Sequence, residues 1–295
     1  MSDALTLTAP AKLNLCLFVG PTREDGLHEI GSLFEPLELG DQLRVSRLEA
    51  GGDEVICPEV GGPNLVERAL AALREQGWSE PPLRVEIAKR IPVAAGLGGG
   101  SADAAAVLRL ARGEVEGLRA ISASVGADVP SQLQPRPCLV AGAGEVVEPI
   151  PPPADHGVVL VPQSMGLTTA EVYAEADRLG VTRGESELEV IRRQLRDAVV
   201  DGASPLAYRE HLVNDLQAAA ISLRPEIEAV LEALRGAGAE QAMVTGSGPT
   251  AFGLFGERAA AERAAAQLAG DYPGAVATGP LAGTAGDGRP TEGPG

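Results

Sequence analysis

The chain has 295 residues, of which 44% are hydrophobic and only 3% aromatic, so it can hold one large or two ordinary domains with cores of aliphatic side chains. A formal net charge of −17 argues against nucleic acids and anionic membranes as partners. The N-terminus lacks the basic and apolar regions of a signal peptide, and no segment approaches a membrane span, so we expect a cytoplasmic protein.

The first half of the chain is predicted to begin with β-strands. Three stretches have strand patterns: residues 5–7, 12–19 and 43–48. In the second stretch, four aliphatic side chains are expected to share one face: Leu13, Leu15, Leu17 and Val19. Lys12, Asn14 and Cys16 are expected on the opposite face, and residues 20–26 are predicted to form a turn.

Helices and a further strand are predicted next. Asn64 can cap a helix that ends near Gly77, and the alternating residues 83–89 predict a strand. That strand leads into a glycine-rich loop, which is followed by helices over residues 102–112 and 118–125.

The proline-rich segment 149–157 breaks any regular element, which makes it the predicted boundary between two domains. The predicted domains are residues 1–152 and 153–281, and they are followed by a disordered tail over residues 282–295.

The second half is predicted to mix helices with strands. Its predicted helices are 169–179, 185–200, 205–221, one with Pro225 at its first position that ends at Gly236, and 257–268. Its predicted strands are 158–161, a strand on each side of a glycine turn within 241–255, and 274–278. Mixed strands and helices in two unequal halves indicate an α+β fold.

The glycine-rich loop P-V-A-A-G-L-G-G-G-S-A, residues 92–102, is the most informative segment. Four glycines and three alanines leave it almost without side chains, so its N–H groups can close around an anion. The following helix, with Ser101 placed to cap it, adds unpaired N–H groups and a positive dipole end. We therefore predict a phosphate site that belongs to a nucleotide. A flexible linker is the alternative interpretation.

Two better-known glycine motifs do not fit the loop. The Walker pattern needs a lysine between Gly100 and Ser101, and the dinucleotide-binding pattern needs a glycine at position 101.

Lys12 and Asp128 are the candidate chemical groups. Lys12 is one of only two lysines, the other being Lys89, and a compact ammonium can pair with a phosphate in ways that a guanidinium does not. A solvated lysine at a strand end is the alternative. Asp128 lies in V-G-A-D-V-P, where Pro130 is expected to hold the preceding residue extended. Its carboxylate could accept a hydroxyl proton or hold a cation, or simply form a turn.

Weaker signals come from a second glycine turn and from the histidines. T-G-S-G at residues 245–248 could approach a ligand through its backbone, or could be an ordinary hairpin turn. His28 could lie on the surface or could recognise a base edge, whereas His156 and His211 have no partner pattern and are expected to be structural. Three cysteines with no metal-type spacing are predicted to be buried free thiols: Cys16, Cys57 and Cys138.

Three motifs in order resemble those of the GHMP small-molecule kinases, over nearly the whole chain except the tail: P-A-K-L-N-L, P-V-A-A-G-L-G-G-G-S-A and V-T-G-S-G-P-T-A-F-G-L-F. The resemblance implies a two-domain α+β fold, with an N-terminal ATP-loop domain and a C-terminal ferredoxin-like domain. It places the active site in the cleft between them and implies ATP and Mg²⁺ as cofactors. The direct metal ligands and the oligomeric state stay open.

Within this superfamily, D-G-L-H-E-I-G-S-L-F and G-A-D-V-P resemble segments of kinases whose acceptor is a small cytidine diphosphate-linked alcohol. The resemblance implies that Lys12 and Asp128 are the catalytic pair. It implies an ATP-binding loop of Pro92, Val93, Ala94, Ala95, Gly96, Leu97, Gly98, Gly99, Gly100, Ser101 and Ala102. It implies substrate contacts from Asn14, His28, Tyr173, Gly246 and Ser247.

This chain departs from the pattern at two places. Leu27 stands where the resemblance leads us to expect an aromatic residue against the base, and the segment 112–124 looks shortened. The alternatives are another GHMP kinase, acting on homoserine, mevalonate or a sugar, and a nucleotide-binding sensor that has lost catalysis.

Overall fold

The computed structural model describes residues 4–163 and 166–282. Its first six strands form one sheet: β1 (Leu5–Thr22), β2 (His28–Arg47), β3 (Glu54–Ile56), β4 (Leu83–Ala88), β5 (Cys138–Gly142) and β6 (Val146–Pro149). The strand order is β3-β4-β2-β5-β6, and β1 pairs antiparallel with β2.

Four helices accompany this sheet: α1 (Leu65–Glu75), α2 (Gly99–Leu108), α3 (Leu118–Val125) and α4 (Val129–Gln132). A 3₁₀ helix, Arg109–Ala111, continues α2. Asn64 caps α1 as predicted, with its side chain accepting from the N–H of Val66. The described part of the chain contains no helix long and apolar enough to cross a membrane.

The second sheet contains four antiparallel strands: β7 (Gly157–Val161), β8 (Gln241–Val244), β9 (Ala251–Phe255) and β10 (Val276–Thr278). Its order is β10-β7-β9-β8, which is the arrangement of a ferredoxin-like β-α-β-β-α-β unit. The predicted α+β fold class is confirmed.

The helices of this half are α5 (Thr169–Leu179), α6 (Glu185–Val199), α7 (Gln217–Leu223), α8 (Glu226–Gly236) and α9 (Arg258–Leu268), with a 3₁₀ helix at Pro205–His211. The single helix predicted over 205–221 is therefore wrong. Asn214 and Asp215 interrupt it: Oδ1 of Asn214 accepts from the N–H of Leu216, and Oδ2 of Asp215 accepts from the N–H of the distant Val19.

Strands β1 and β2 are longer than predicted. The stretches 5–7 and 12–19 belong to one strand of 18 residues, and 43–48 overlaps the end of a strand of 20 residues. The predicted turn over 20–26 is shorter, because β1 continues to Thr22. The start of β2 escaped prediction because buried polar residues such as Ser32 and Glu35 interrupt its apolar pattern.

The predicted aliphatic face of β1 is also wrong. Register shifts occur between Pro10 and Lys12 and between Asn14 and Cys16. An extra residue in a strand moves every following side chain to the other face. Leu13 and Leu15 consequently belong to one core cluster, whereas Leu17 and Val19 belong to another.

The two sheets share these cores. Leu17 and Val19 pack in one cluster with Val159 and Val161 of β7, and strand β6 ends at Pro149, before β7 begins at Gly157. We keep the division into residues 1–152 and 153–281 as a proposal. The predicted tail lies outside the described residues, apart from residue 282.

The three cysteines are free, as predicted. Cys16 and Cys138 are buried, and burial raises the pKa of each thiol to about 12. Cys57 is only partly buried.

A buried pair links β2 to the segment before β7. Glu35 and His156 are both fully buried, and Nε2 of His156 lies 3.1 Å from Oε2 of Glu35. Nδ1 of His156 donates to the Ala154 carbonyl at 3.0 Å. Burial alone would lower the pKa of His156, but the hydrogen bond and the charge of Glu35 outweigh it and raise the pKa. The sequence did not reveal Glu35 as the partner of His156, because the two residues are 121 positions apart in the chain.

We expect the free energy of unfolding to fall as the pH rises above 6.5, the ordinary pKa of histidine. The folded chain binds the His156 proton more tightly than the unfolded chain does, so this contribution is complete below that pKa and is lost through the raised one. Urea denaturation at several pH values should show the difference between the wild type and His156→Gln shrinking as the pH rises. His211→Gln is the matched control, and a difference independent of pH would contradict the assignment.

Candidate active site

The glycine loop lies between β4 and α2 and turns on left-handed glycines. Gly96 has φ +74° and Gly98, the N-cap of α2, has φ +68°. The helix begins at Gly99, so Ser101 lies inside its first turn, and the prediction that Ser101 caps the helix is wrong. Gly98 ends the loop instead, and its carbonyl accepts from the N–H of Ala102 at 2.8 Å. No side chain therefore caps the first N–H groups of α2, which leaves them available to an anion.

Both lysines of the chain lie against this loop. A Cβ atom added to Gly98 would lie 2.8 Å from Cγ of Lys12, and one added to Gly99 would lie 3.1 Å from Nζ of Lys89. The main-chain N–H of Lys12 also donates to the Leu97 carbonyl at 2.9 Å. Glycine is required where the loop passes over Lys12, because a side chain there would displace it.

Lys12 and Asp128 meet beside the loop. Nζ of Lys12 lies 3.4 Å from Oδ2 of Asp128, and the two side chains are 6% and 32% exposed, respectively. The same ammonium lies 4.8 Å from the centre of the Phe34 ring. The lysine is thus enclosed, whereas the carboxylate keeps an exposed surface.

Asp128 occupies the position before the short helix α4. Val129 is the first residue of α4, so the prediction that Pro130 holds Val129 extended is wrong. Within the first turn of a helix the missing N–H of proline costs no hydrogen bond, which allows this start. The Asp128 side chain makes no capping bond to α4, and its carboxylate remains free to face Lys12.

Asn14 fixes the position of the Lys12 side chain by a hydrogen bond. Its Oδ1 accepts from Nζ of Lys12 at 2.5 Å, and its Nδ2 donates to Oγ of Ser32 at 3.0 Å. Its main-chain N–H donates to Oγ1 of Thr245 at 3.0 Å. Asn14 is 3% exposed, so the structure gives it a positioning contact, and its contact with substrate stays a prediction.

The turn at residues 245–248 lies on the glycine loop. A Cβ atom on Gly96 would lie 3.0 Å from the Thr245 carbonyl, and one on Gly246 would lie 3.7 Å from Nζ of Lys12. The turn therefore belongs to the same site as the loop and the lysine.

Asn214, which the sequence patterns did not indicate as a site residue, supports that turn. Its Nδ2 donates to the carbonyls of Val244 and Gly246, each at 2.8 Å. On the other side of the turn, Oγ of Ser247 lies 3.1 Å from Oγ1 of Thr169. The signal available in the sequence was an asparagine followed by an aspartate inside a predicted helix, where both residues are unfavourable.

His28 and Tyr173 come together at the other end of the site. Their ring centroids are 5.0 Å apart, with an interplanar angle of 36°. Nε2 of His28 lies 2.9 Å from Oδ1 of Asp177 and 3.2 Å from Oγ1 of Thr22. Leu27, which precedes His28 in the chain, is 51% exposed.

Tyr173 is also close enough to Asp128 for the charge of that carboxylate to affect the pKa of its hydroxyl. Burial, and after it the negative charge of Asp128, raises the pKa of Tyr173. The ring pair and the Lys12–Asp128 pair therefore lie within one site.

Lys89 joins the loop helix to the first sheet. Its Nζ donates to Oδ2 of Asp41 and, at 2.9 Å, to Oδ2 of Asp103. Oδ1 of Asp41 accepts from the N–H groups of Arg90 and Ile91 at 2.6 and 2.8 Å. Burial, which outweighs the attraction of Lys89, raises the pKa of Asp103 to about 7. This buried cluster fixes the base of the loop.

Within residues 4–163 and 166–282, no group of three or more His, Cys, Asp or Glu side chains could hold a metal ion. Mg²⁺ often takes only one or two protein carboxylates and completes its shell with phosphate oxygens and water. Asp128 can supply one such oxygen, so the site fits an ion that arrives with a phosphate ligand.

The sequence model for the GHMP kinases N terminal domain matches residues 64–130, and the model for GHMP kinases C terminal matches residues 187–274. A 4-diphosphocytidyl-2-C-methyl-D-erythritol kinase of Anaeromyxobacter dehalogenans is 39% identical over 287 residues, which cover 92% of this chain and 88% of that protein.

Solved structures agree. A crystal structure of 4-(cytidine 5'-diphospho)-2C-methyl-D-erythritol kinase has a TM-score of 0.77 and 33% identity, covering 95% of this chain and all (100%) of that chain. Homoserine kinase from Cytophaga hutchinsonii has a TM-score of 0.71 at 18% identity, covering 95% of each chain, and shows the fold alone.

Fold, motifs and domain matches define the class as the GHMP kinases, which confirms the resemblance seen in the sequence. Within that class, the chain belongs to the 4-diphosphocytidyl-2-C-methyl-D-erythritol kinase family.

We expect Gly98→Ala to lower kinase turnover by about 100-fold, because the new Cβ would displace Lys12, and a misplacement of about 1 Å can cost that much. Steady-state formation of ADP measures the effect.

Gly180→Ala is the matched control. Gly180 has φ +67°, but a Cβ there meets no atom within 4 Å, so this variant carries the backbone strain without the clash. Equal losses of turnover in the two variants would show that strain, and not the contact with Lys12, is responsible.

Proposed function

We propose that this chain transfers the γ-phosphoryl group of ATP to the 2-hydroxyl of 4-(cytidine 5'-diphospho)-2-C-methyl-D-erythritol, a step of the non-mevalonate isoprenoid precursor pathway. The observation that carries the proposal is the Lys12–Asp128 pair, 3.4 Å apart, beside the glycine loop. Family membership supplies the acceptor, and the site supplies the groups that the transfer needs.

The loop from Pro92 to Ala102 is the proposed ATP site. Its backbone turns at Gly96 and Gly98, and the first N–H groups of α2 have no side-chain cap. N–H groups at a helix start attract phosphate oxygens through both hydrogen bonds and the helix dipole. The chain has a net charge of −17, so these local donors must outweigh the repulsion between the protein as a whole and the phosphates.

Asp128 and Lys12 are the proposed catalytic residues. In phosphoryl transfer the protein mainly positions the reactants and offsets charge on the moving group. Asp128 orients the acceptor hydroxyl and takes its proton. That transfer comes late, because an alcohol is far less acidic than a carboxylic acid. Lys12, held by Asn14, offsets the charge of the phosphoryl oxygens.

Mg²⁺ is proposed to arrive with ATP, with Asp128 as the protein carboxylate nearest the reacting groups. When bound, the ion neutralises charge on the phosphate oxygens.

His28 and Tyr173 are the proposed contacts for the cytosine base. Their rings contact each other in this structure, so both are placed to contact one base. Asp177 and Thr22 hold Nε2 of His28 in this position. Leu27 can pack on a base face but lacks the stacking of an aromatic ring, which contributes ~1–3 kcal/mol per base. Gly246 and Ser247 are proposed to contact the acceptor from the turn above Lys12.

We expect Asp128→Asn to lose most turnover, by ~10²–10⁴-fold, while ATP still binds, because a general base contributes about that factor. Lys12→Ala should behave similarly. Turnover and calorimetric ATP binding are measured on each purified variant, with Asp271→Asn, at an exposed position, as the control. Near-normal turnover in either variant would remove that residue from the chemistry.

A panel of acceptors tests the acceptor separately. The wild-type chain should release ADP fastest with 4-(cytidine 5'-diphospho)-2-C-methyl-D-erythritol, and much more slowly with homoserine, mevalonate or galactose. Preference for one of the latter would identify another GHMP kinase. Tight ATP binding with no ADP from any acceptor would favour a sensor that has lost catalysis.

A further inference from the structure

Two oxygen atoms hold the His28 ring at one end of the candidate site. Thr22 lies directly opposite His28 in the antiparallel pairing of β1 with β2, and its Oγ1 is 3.2 Å from Nε2 of His28. Oδ1 of Asp177, on α5, is 2.9 Å from the same nitrogen. Only 8% of the His28 side chain is exposed, against 49% of the Asp177 side chain. One nitrogen of an enclosed ring therefore faces two oxygens.

Helix α5 brings Asp177 to this ring together with Tyr173. The two residues are four positions apart, so their side chains lie one turn from each other on the same face of the helix. The Tyr173 ring contacts His28 with a centroid distance of 5.0 Å. A capping box at Thr168 and the buried side chain of Val172 hold the start of the helix in place. One element thus sets both contacts to His28.

The chemistry of the two oxygens decides which nitrogen of the neutral His28 ring carries the proton. A carboxylate only accepts hydrogen bonds, whereas a neutral imidazole has one N–H donor and one bare nitrogen. A bare Nε2 at 2.9 Å from Oδ1 of Asp177 would set two lone pairs against each other, so the proton lies on Nε2. The Thr22 hydroxyl can accept as well as donate, and it fits this state.

Nδ1 of His28 is then the bare nitrogen of the ring. Within residues 4–163 and 166–282, no hydrogen bond reaches Nδ1, because both bonds of the ring are made at Nε2. The hydrogen bond that the ring can still offer a ligand is therefore that of an acceptor.

We propose that Asp177 is a positioning residue for recognition of the base: it keeps the His28 proton on Nε2, so that Nδ1 accepts a hydrogen bond from the 4-amino group of cytosine. Uracil has an oxygen in place of that amino group, and this oxygen only accepts. Since two acceptors repel each other, the arrangement selects a cytidine-linked acceptor over a uridine-linked one. The inference rests on the proposed function, which places His28 and Tyr173 at the base.

Stacking alone cannot make this distinction. Every base has a π-face, so an aromatic ring such as that of Tyr173 stacks on cytosine and uracil alike. Apolar packing by Leu27 is equally indifferent to the groups at the edge of the base. Selection between the two pyrimidines needs a hydrogen bond at that edge, and a histidine whose proton is held on one nitrogen can supply it.

The tautomer can be measured by long-range proton–nitrogen correlation spectra of the imidazole rings, recorded on the full chain at alkaline pH. The chain has three histidines, so the His28 signals are assigned by their loss in His28→Gln. We expect the proton on Nε2 and a bare Nδ1, whose nitrogen signal shifts on addition of cytidine but not of uridine. In Asp177→Ala the ring should exchange between both tautomers, because the carboxylate no longer holds the proton.

Glu175→Ala is the matched control for the spectra. It removes a carboxylate from the same helix, where that carboxylate bonds to Arg178 and Ser222 and not to His28. The His28 signals should stay as in the wild type.

Kinetics measure the selection itself. Turnover is followed with 4-(cytidine 5'-diphospho)-2-C-methyl-D-erythritol and with its uridine analogue. The wild type should favour the cytidine acceptor by about 10–100-fold in kcat/KM. Asp177→Ala should lower that preference severalfold, through a higher KM for the cytidine acceptor and an unchanged kcat, because the contact is made equally in the ground state and the transition state. Glu175→Ala should keep the wild-type preference.

The inference is overturned if Nδ1 carries a proton in the wild type, or if cytidine and uridine shift its signal equally. It is also overturned if Asp177→Ala leaves the tautomer and the base preference unchanged, or if Glu175→Ala changes them as much, which would indicate a general disturbance of α5. The spectra need neither ATP nor turnover. A chain that formed no ADP would contradict the proposed function, while the nucleoside titration would still decide whether His28 distinguishes the two bases.

Discussion

The site depends on the close approach of strand β1 to two glycine turns. Lys12 donates its main-chain N–H to the glycine loop at Leu97, and a Cβ atom at Gly98 would lie 2.8 Å from its side chain. The turn at 245–248 closes from the other side. Register shifts on both sides of Lys12 bend β1 at this point. The bend helps to set the direction of the lysine side chain. Small residues are therefore required on both turns, since any larger side chain would separate the lysine from the loop.

The choice of lysine follows from the same packing. The Lys12 ammonium contacts Asn14, Asp128 and the Phe34 ring within an almost closed space. A guanidinium is planar and carries five donors, so it would need more room and more acceptors than this space offers. Arginine serves elsewhere, as in the pair of Arg183 with Asp215. The chain has only two lysines, and both lie at the loop, so the scarcity of lysine in the sequence was itself a signal of the site. Lys89 was not predicted to have a role there.

Local signals predicted more of the structure than long-range ones could. Helices α3 and α5 begin and end where their patterns indicated, the cap at Asn64 forms, and the glycine loop precedes a helix. Several of the errors come from contacts with residues that are distant in the sequence. Strand β2 carries buried polar side chains whose partners lie far along the chain, as Glu35 has in His156. Asn214 interrupts a helical pattern, and its side chain donates to the carbonyl of the distant Gly246. Ser101 has the composition of a cap, but Gly98 turns the chain first.

Strand β1 also fixes how the two halves meet. The N–H of Asn14 donates to Oγ1 of Thr245, Leu17 forms a bridge with Asn214, and the N–H of Val19 donates to Asp215 at 3.0 Å. The second half is thus hydrogen-bonded to the strand that carries Lys12, within seven residues of it. A shift of the main chain at Lys12 would therefore disturb hydrogen bonds to both halves of the chain. Asp128 is held differently, by a helix of four residues, and keeps 32% of its side chain exposed. We infer that the lysine is the fixed partner, and that adjustment on ligand binding falls to the carboxylate, because its side chain is the more exposed of the two.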